Sequence, residues 1–496
     1  MKEYHADAKI DLRTLESVEA LQRFLLRERS GDANFESVEQ EVGKLVRRIE
    51  SDILEHELQG YDVDADAIII DGVEMRRCLT AEPKRYLSAS GPLTVTRNLF
   101  RPRGGGKAVC ALDVRAGIVG CCTPLLARRV SFLMGHMTSS ETASVFKEFG
   151  IDGPSSSTCD RVPKVVSDVW EQKRQAFEAT LREQEEVPAE ATVLGCSLDG
   201  VMVPDREAQQ KAKVAREEVK KKGLNKKVSG PAGYREVGCG TVSLYAPPAD
   251  PDSEYPEDRA PERLLTVRYG REPEYKKATL TEELDAEVES IVAARPDLKL
   301  VALADGAEEN WRYFEGPVWE NAEKIVDHCH GCSHLKAGMV AGHGDNVAAR
   351  AEYERLRVIL RDEYGGVDTV IKELDKLDRK LCREGKASRR EQLKKERTYF
   401  RNQRERMDYA RYQELGLPIG SGVVEATCKT LASQRLKRSG MNWGGGKQPI
   451  LTIRSLQQSD RWERAWPLVA GAFREEVYQV RQHGSFRSIE PLSAAA

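Results

Sequence analysis

No run of residues in this chain is long and apolar enough to suggest a membrane span, and Met1 to Arg29 lacks the apolar centre of a secretory signal. A membrane partner is not expected, and the predicted location is the cytoplasm. Cysteine is scarce: 11 residues in 496, scattered apart from Cys121-Cys122 and Cys329/Cys332. An odd number without an export signal reads as reduced thiols rather than a disulfide framework. Excess positive charge is also missing. A net charge of −3 excludes a uniformly basic, histone-like binder, though it leaves room for local basic surface. Phosphate-cradling loops are absent too. Gly104-Gly105-Gly106-Lys107 and Gly444-Gly445-Gly446-Lys447 both lack the spaced first glycine and the Ser/Thr after lysine, so neither is read as a nucleotide site.

What is present is length enough for two to four domains. Three basic stretches stand out: residues 206–227, residues 386–411, and Arg435-Leu436-Lys437-Arg438. Each alone is most simply a solvated face; three together make a polyanionic partner worth testing.

Apolar residues at helical spacing from Val38 to Leu58 predict an amphipathic helix, with another over 17–29, so residues 1–80 read as a helical region. Residues 81–135 read as a β-hairpin region, with strands at 93–100 and 107–112 around the glycine-rich loop. Residues 136–185 read as helix, turn, helix, either an ordinary packed helix pair or a DNA reader that would lay Ser156, Ser157, Thr158 and Arg161 on a groove. Pro163 argues against a regular second helix there. From 186 to 344 strands are expected at 192–198, 236–245, 263–269, 298–304 and 323–327, with a helix at 279–294. Three strands, then helix, strand, helix, strand describe a mixed α/β sheet of the ribonuclease-H type. Residues 205–230 would be a polar excursion between its first two strands. Residues 345–411 read as a helical insertion, 412–475 as the second part of the sheet domain, and 476–496 as a tail.

Three acidic residues occupy suggestive places. Asp199 closes the apolar run Val193–Leu198 and precedes Gly200; Asp305 closes Leu298–Ala304 and precedes Gly306; Glu425 lies one turn into a helix opened by Gly420-Ser421-Gly422. Each has an ordinary explanation. Asp-Gly is a common hairpin turn, an aspartate caps helices, and Lys429 stands four residues from Glu425 at ion-pair spacing. Their combination is what points to chemistry, because carboxylates converging from strand ends and a helix hold the paired divalent cations of phosphodiester cleavage. Magnesium prefers such hard oxygen ligands. Lys429, Arg435, Lys437 and Arg438 follow Glu425 and would grip a nucleic-acid backbone beside it. Asp327 and His330, at the end of the fifth strand, would open on the same edge in a supporting role. His328-Cys329-His330-Gly331-Cys332-Ser333-His334 also invites a zinc reading, but no second ligand pair of finger-like spacing follows.

The segment Pro418–Lys429, continuing through Gln434–Met441, resembles the signature of the ISKra family of insertion-sequence transposases. So do Ser197–Met202, Ala304–Ala307 and Leu125–Phe132, and the similarity runs from about Gly91 to Ala470. The resemblance implies a DDE transposase with a ribonuclease-H-like core, in which Asp199, Asp305 and Glu425 bind two Mg (or Mn) ions. It further implies terminal inverted repeats and target DNA as partners, and a homo-oligomer on paired ends. His328 and Cys329 fill positions where that family carries aromatic or apolar residues. Two alternatives stand beside it: a ribonuclease-H-like nuclease that hydrolyses without strand transfer, and a non-catalytic DNA-binding protein derived from such an element.

Overall fold

The computed structural model describes residues 12–27, 34–221, 233–250, 253, 258–483 and 486–492. The chain forms two compact units, one from residues 1–178 with 461–496, the other from residues 179–460. Lys222, Lys226 and Lys227 of the first basic stretch lie outside the described residues.

The first unit begins with two helices, Leu12–Leu26 and Phe35–Gln59. The second is capped by Asn34, whose side chain accepts from the Ser37 amide at 2.8 Å. The strands that follow are β1 (Ala67–Ile70), β2 (Val73–Ser88), β3 (Gly91–Pro102) and β4 (Val109–Cys110). Residues 67–70 and 73–80 are therefore strand, not the helix expected. Asp71 and Gly72 carry φ of 49° and 72°, the left-handed pair that closes a two-residue hairpin between β1 and β2. The expected hairpin is present but short, β4 pairing with β3 only at Leu99/Cys110 and Phe100/Val109, and β3 finds its longer antiparallel partner in β2 over Met75–Ser88.

Residues 139–148 and 156–183 form the expected helix pair, but the second helix runs unbroken through Pro163. Its buried stripe, Cys159, Val162, Val166 and Trp170, outweighs the local cost of the missing amide. Thr158 is buried and the Arg161 guanidinium turns back onto Ser157 and Thr158. The presumed groove-facing set is thus split between interior and surface.

The second unit holds a five-stranded sheet of β5 (Val193–Pro204), β6 (Tyr234–Ala246), β7 (Glu262–Arg271), β8 (Lys299–Ala304) and β9 (Glu323–Val326). Its order is β7-β6-β5-β8-β9. The first three strands form an antiparallel meander, while β8 and β9 join β5 in parallel. Residues 193–198 are buried throughout, the pattern of a strand covered on both faces. Helix Ala278–Ala294 lies close on one face because β6 offers glycines there. A Cβ on Gly238 would meet Leu280 at 2.8 Å, and one on Gly240 would meet Leu284 at 2.7 Å.

After β9 come helices His328–His343, Val347–Asp362, Gly366–Arg383 and Ala387–Gln403. The last two are zipped by ion pairs from Asp368 to Arg404, Asp375 to Arg397 and Arg401, and Asp378 to Arg390 and Arg397. The basic stretch 386–411 is consequently in large part a structural seam rather than open cationic surface.

Two further strands, β10 (Val477–His483) and β11 (Phe486–Pro491), occupy the expected tail. They extend the first unit's sheet, in the order β11-β10-β1-β2-β3-β4, with Ala67 opposite Val480.

Candidate carboxylate site

Strands β5 and β8 pair in parallel from Val193/Lys299 to Ser197/Leu303. Asp199 and Asp305 each lie two residues further on, level with one another on neighbouring strands. Asp199 does not end its strand; β5 continues to Pro204 against β6 alone, and Asp199 sits where β8 departs. A hairpin at Asp199-Gly200 is thereby ruled out. At Asp305 the strand does end. Gly306, φ 99°, turns the chain into helix Glu308–Tyr313, and a Cβ there would meet the Tyr399 ring at 2.8 Å.

Each aspartate has one oxygen fixed by short-range donors. Asp199 Oδ1 accepts from the Gly200 amide at 2.7 Å, and the Cys428 thiol lies 3.6 Å from Oδ2. Asp305 Oδ1 accepts from the Ala307 amide at 2.9 Å and from Asn310 Nδ2 at 3.1 Å. Burial raises the Asp199 pKa above the usual carboxylate range, and the neighbouring Asp305 charge adds to the rise.

Glu425 arrives on helix Gly422–Thr427, which continues as a π-helical turn over Cys428–Ser433. Such turns are over-represented at functional sites, and this one delivers Cys428 to Asp199. Burial raises the Glu425 pKa, and the charges of Asp327 and Asp199 raise it further, while His330 opposes them. Glu425 thus stands within electrostatic reach of Asp199, Asp327 and His330.

Asp327, expected to open on this edge in a supporting role, supports the site by capping a helix. It is 1% exposed, and its carboxylate caps helix His328–His343 through the Cys329 amide at 2.6 Å and the His330 amide at 3.1 Å. The other oxygen takes the Ser421 amide at 2.9 Å and the Ser421 hydroxyl. The role is architectural. It ties the start of the glutamate helix to the end of β9.

The His330 ring lies 5.1 Å from His334, which stacks on Tyr399 at 3.6 Å and places Nδ1 2.6 Å from Glu396. Tyr399 in turn donates to the Asp305 carbonyl at 3.2 Å, and Gln403 donates to the Gly306 carbonyl at 3.1 Å. One helix of the insertion therefore braces the Asp305 turn. His328 sits 3.4 Å from the Cys332 sulfur, and burial pushes its pKa down to about 4, which keeps the ring neutral. Among the described residues, no three His, Cys, Asp or Glu side chains stand where they would share one metal ion.

Of the four cations expected on a backbone, Lys429, Lys437 and Arg438 are exposed. Arg435 is not. It is 2% exposed, lies 5.3 Å over the Trp443 ring and donates to Met441 sulfur, so its place is in the interior. Lys447 of the glycine-rich loop is likewise buried, 2.8 Å from Asp205. Asp205 also caps the surface helix Arg206–Lys221 through the Ala208 amide. That lysine is structural.

The donor set fits magnesium or manganese in kind: hard carboxylate oxygens, with mutual repulsion at Asp199 and Glu425 that a cation would relieve. In the conformation described, Asp199 and Asp305 stand level where β5 and β8 part and Glu425 lies within electrostatic reach of Asp199, without the three being drawn into a single coordination sphere. Residues that carry no sequence motif complete the site: Lys277, Asn310, Tyr399 and Gln403. No protein-family model matches the chain, and no curated protein matches it.

Proposed function

We propose that the chain is a DDE transposase, cleaving DNA at the ends of a mobile element and joining them to a target. One observation carries this reading. Asp199 and Asp305 stand level at the point where two parallel strands part, and the helix bearing Glu425 is tied to the third strand end through Asp327 and Ser421. The strand order, three antiparallel strands followed by two parallel ones, supports a ribonuclease-H-like core. So does the insertion of helices between β9 and the glutamate.

Asp199, Asp305 and Glu425 are the residues that would hold a pair of divalent ions. Such a pair activates the attacking water or 3′-hydroxyl and stabilises the leaving oxygen. Lys429, Lys437 and Arg438 offer exposed cations for the backbone on the C-terminal side of Glu425. His330, whose charge acts on Glu425, would hydrogen-bond a phosphate or the nucleophile in this reading. Terminal repeats, target DNA and an oligomer pairing two ends belong to the same reading.

The test uses purified protein with DNA carrying the nucleotides that flank this gene, one end pre-cut. Magnesium-dependent joining to a plasmid, lost in Asp199→Asn, supports the transposase. Cleavage without joining supports a nuclease. Binding without either supports an element-derived DNA-binding protein.

A further inference from the structure

Two successive non-glycine residues, Lys276 and Lys277, both adopt φ of 54° just before helix Ala278–Ala294. Side chains rarely occupy that left-handed region, and where they do the surrounding structure holds them there, often at functional sites. Here the strain turns Lys277 inward. Its side chain is 12% exposed, and Nζ lies 3.2 Å from Glu236 and 3.4 Å from Asn310 Oδ1.

Asn310 is 3% exposed, and both ends of its amide are engaged. Oδ1 accepts from Lys277, while Nδ2 donates to the Leu198 carbonyl at 3.2 Å and to Asp305 Oδ1 at 3.1 Å. The amide can face only one way. Two acceptors demand its NH2 group, and the ammonium, a donor with no accepting capacity, demands its oxygen. Asn310 therefore spans the two strands at the level of the acids, gripping the residue before Asp199 on one side and the Asp305 carboxylate on the other.

We propose that Asn310, oriented by Lys277, is the positioning residue that sets the spacing of Asp199 and Asp305 for cation binding. The inference rests on the reading of these acids as metal ligands. Holding Asp305 Oδ1 fixes the orientation of that carboxylate, and holding the Leu198 carbonyl fixes the backbone from which Asp199 projects. Outer partners of this kind typically change metal affinity by 10- to 100-fold.

The experiment is calorimetric titration of DNA-free protein with Mn2+, with thermal unfolding measured in parallel. Asn310→Ala should weaken binding by roughly 10- to 100-fold. Lys277→Met provides a second, sharper reading. By Coulomb's law alone, removing a positive charge that acts on Asp199 would tighten cation binding; loss of the oriented amide loosens it. Weaker binding in Lys277→Met is expected, and it decides the matter if Asn310→Ala does not fold. Unchanged or tighter binding in folded Lys277→Met, or unchanged binding in folded Asn310→Ala, overturns the proposal. Asp199→Asn is the control for the underlying reading. If it binds Mn2+ like the unaltered protein, the acids are not ligands; if it loses binding while both other variants retain it, only the positioning role fails.

Discussion

Ser421 gives both its backbone amide, at 2.9 Å, and its hydroxyl to one oxygen of Asp327. Ninety-four positions separate the two residues, and a bundle of helices lies between them in sequence. The pair therefore decides where the glutamate helix begins relative to the sheet edge that carries the aspartates. With the Asp327 carboxylate buried and four donors converging on it, little freedom remains at that joint.

Asp327→Ala should accordingly cost stability, not a reacting group. A lost helix cap and stranded buried donors together predict a loss of about 2–4 kcal/mol. Urea unfolding measures it. A variant as stable as the original protein would show that Asp327 is not a tether.

Asp199→Asn, Asp305→Asn and Glu425→Gln should each abolish magnesium-dependent cleavage and joining while DNA binding persists. Each keeps its size and loses a charged ligand. Near-normal turnover in any two would remove the triad assignment.

Stability should carry the sign of the raised carboxylates. Asp199 and Glu425 hold their protons more tightly when folded, so metal-free protein loses stability as pH rises above about 4 and through their folded pKa values. Asp199→Asn should then be more stable than the original at pH 7 without cation, and the difference should shrink as Mg2+ is added. A gain of about 1 kcal/mol would raise Tm by roughly 2–4 °C. A lower Tm at pH 7 would contradict the repulsion.

The basic residues near Glu425 should separate into two classes. Alanine at Lys429, Lys437 or Arg438 should each reduce the salt slope of DNA binding by about one unit with little change in sequence preference. Arg435→Ala should lower thermal stability instead, because its guanidinium packs over Trp443. An unchanged slope in all three exposed variants would mark this surface as merely solvated.

His330→Ala tests a graded contribution, roughly 10- to 100-fold in rate with Mn2+ affinity retained. Full activity would take His330 out of the site.

Much of the sheet was legible because buried parallel strands are continuous apolar runs, as at 193–198 and 300–304, and at the second of these the aspartate that follows marks the strand's exit. Glu425 was legible from the glycines and serine that open its helix. Asn310, Lys277 and Tyr399 were not, since their roles come from contacts across the fold and their own sequence surroundings are unremarkable. The strands after Val477 were read as a tail because their partner, β1, lies at the other end of the chain. Arg435 was misassigned for a related reason: a basic run does not announce which member turns inward.

The pairing of β10 with β1 sets an order of events during synthesis. Strands β1 to β4 leave the ribosome together, but the neighbour that covers β1 on its open side begins only at Val477. The whole of residues 179–460 emerges in between and holds its own core throughout. The closure entropy of such a long loop grows only slowly, by about 0.6 kcal/mol per doubling, so the wait is a matter of timing more than of final stability. Until then β1 presents an unpaired edge, the kind of surface that captures strands from other chains. A nascent chain stalled before residue 477 should therefore depend on chaperones for its amino-terminal unit, while the sheet bearing Asp199 and the helix bearing Glu425 are already made.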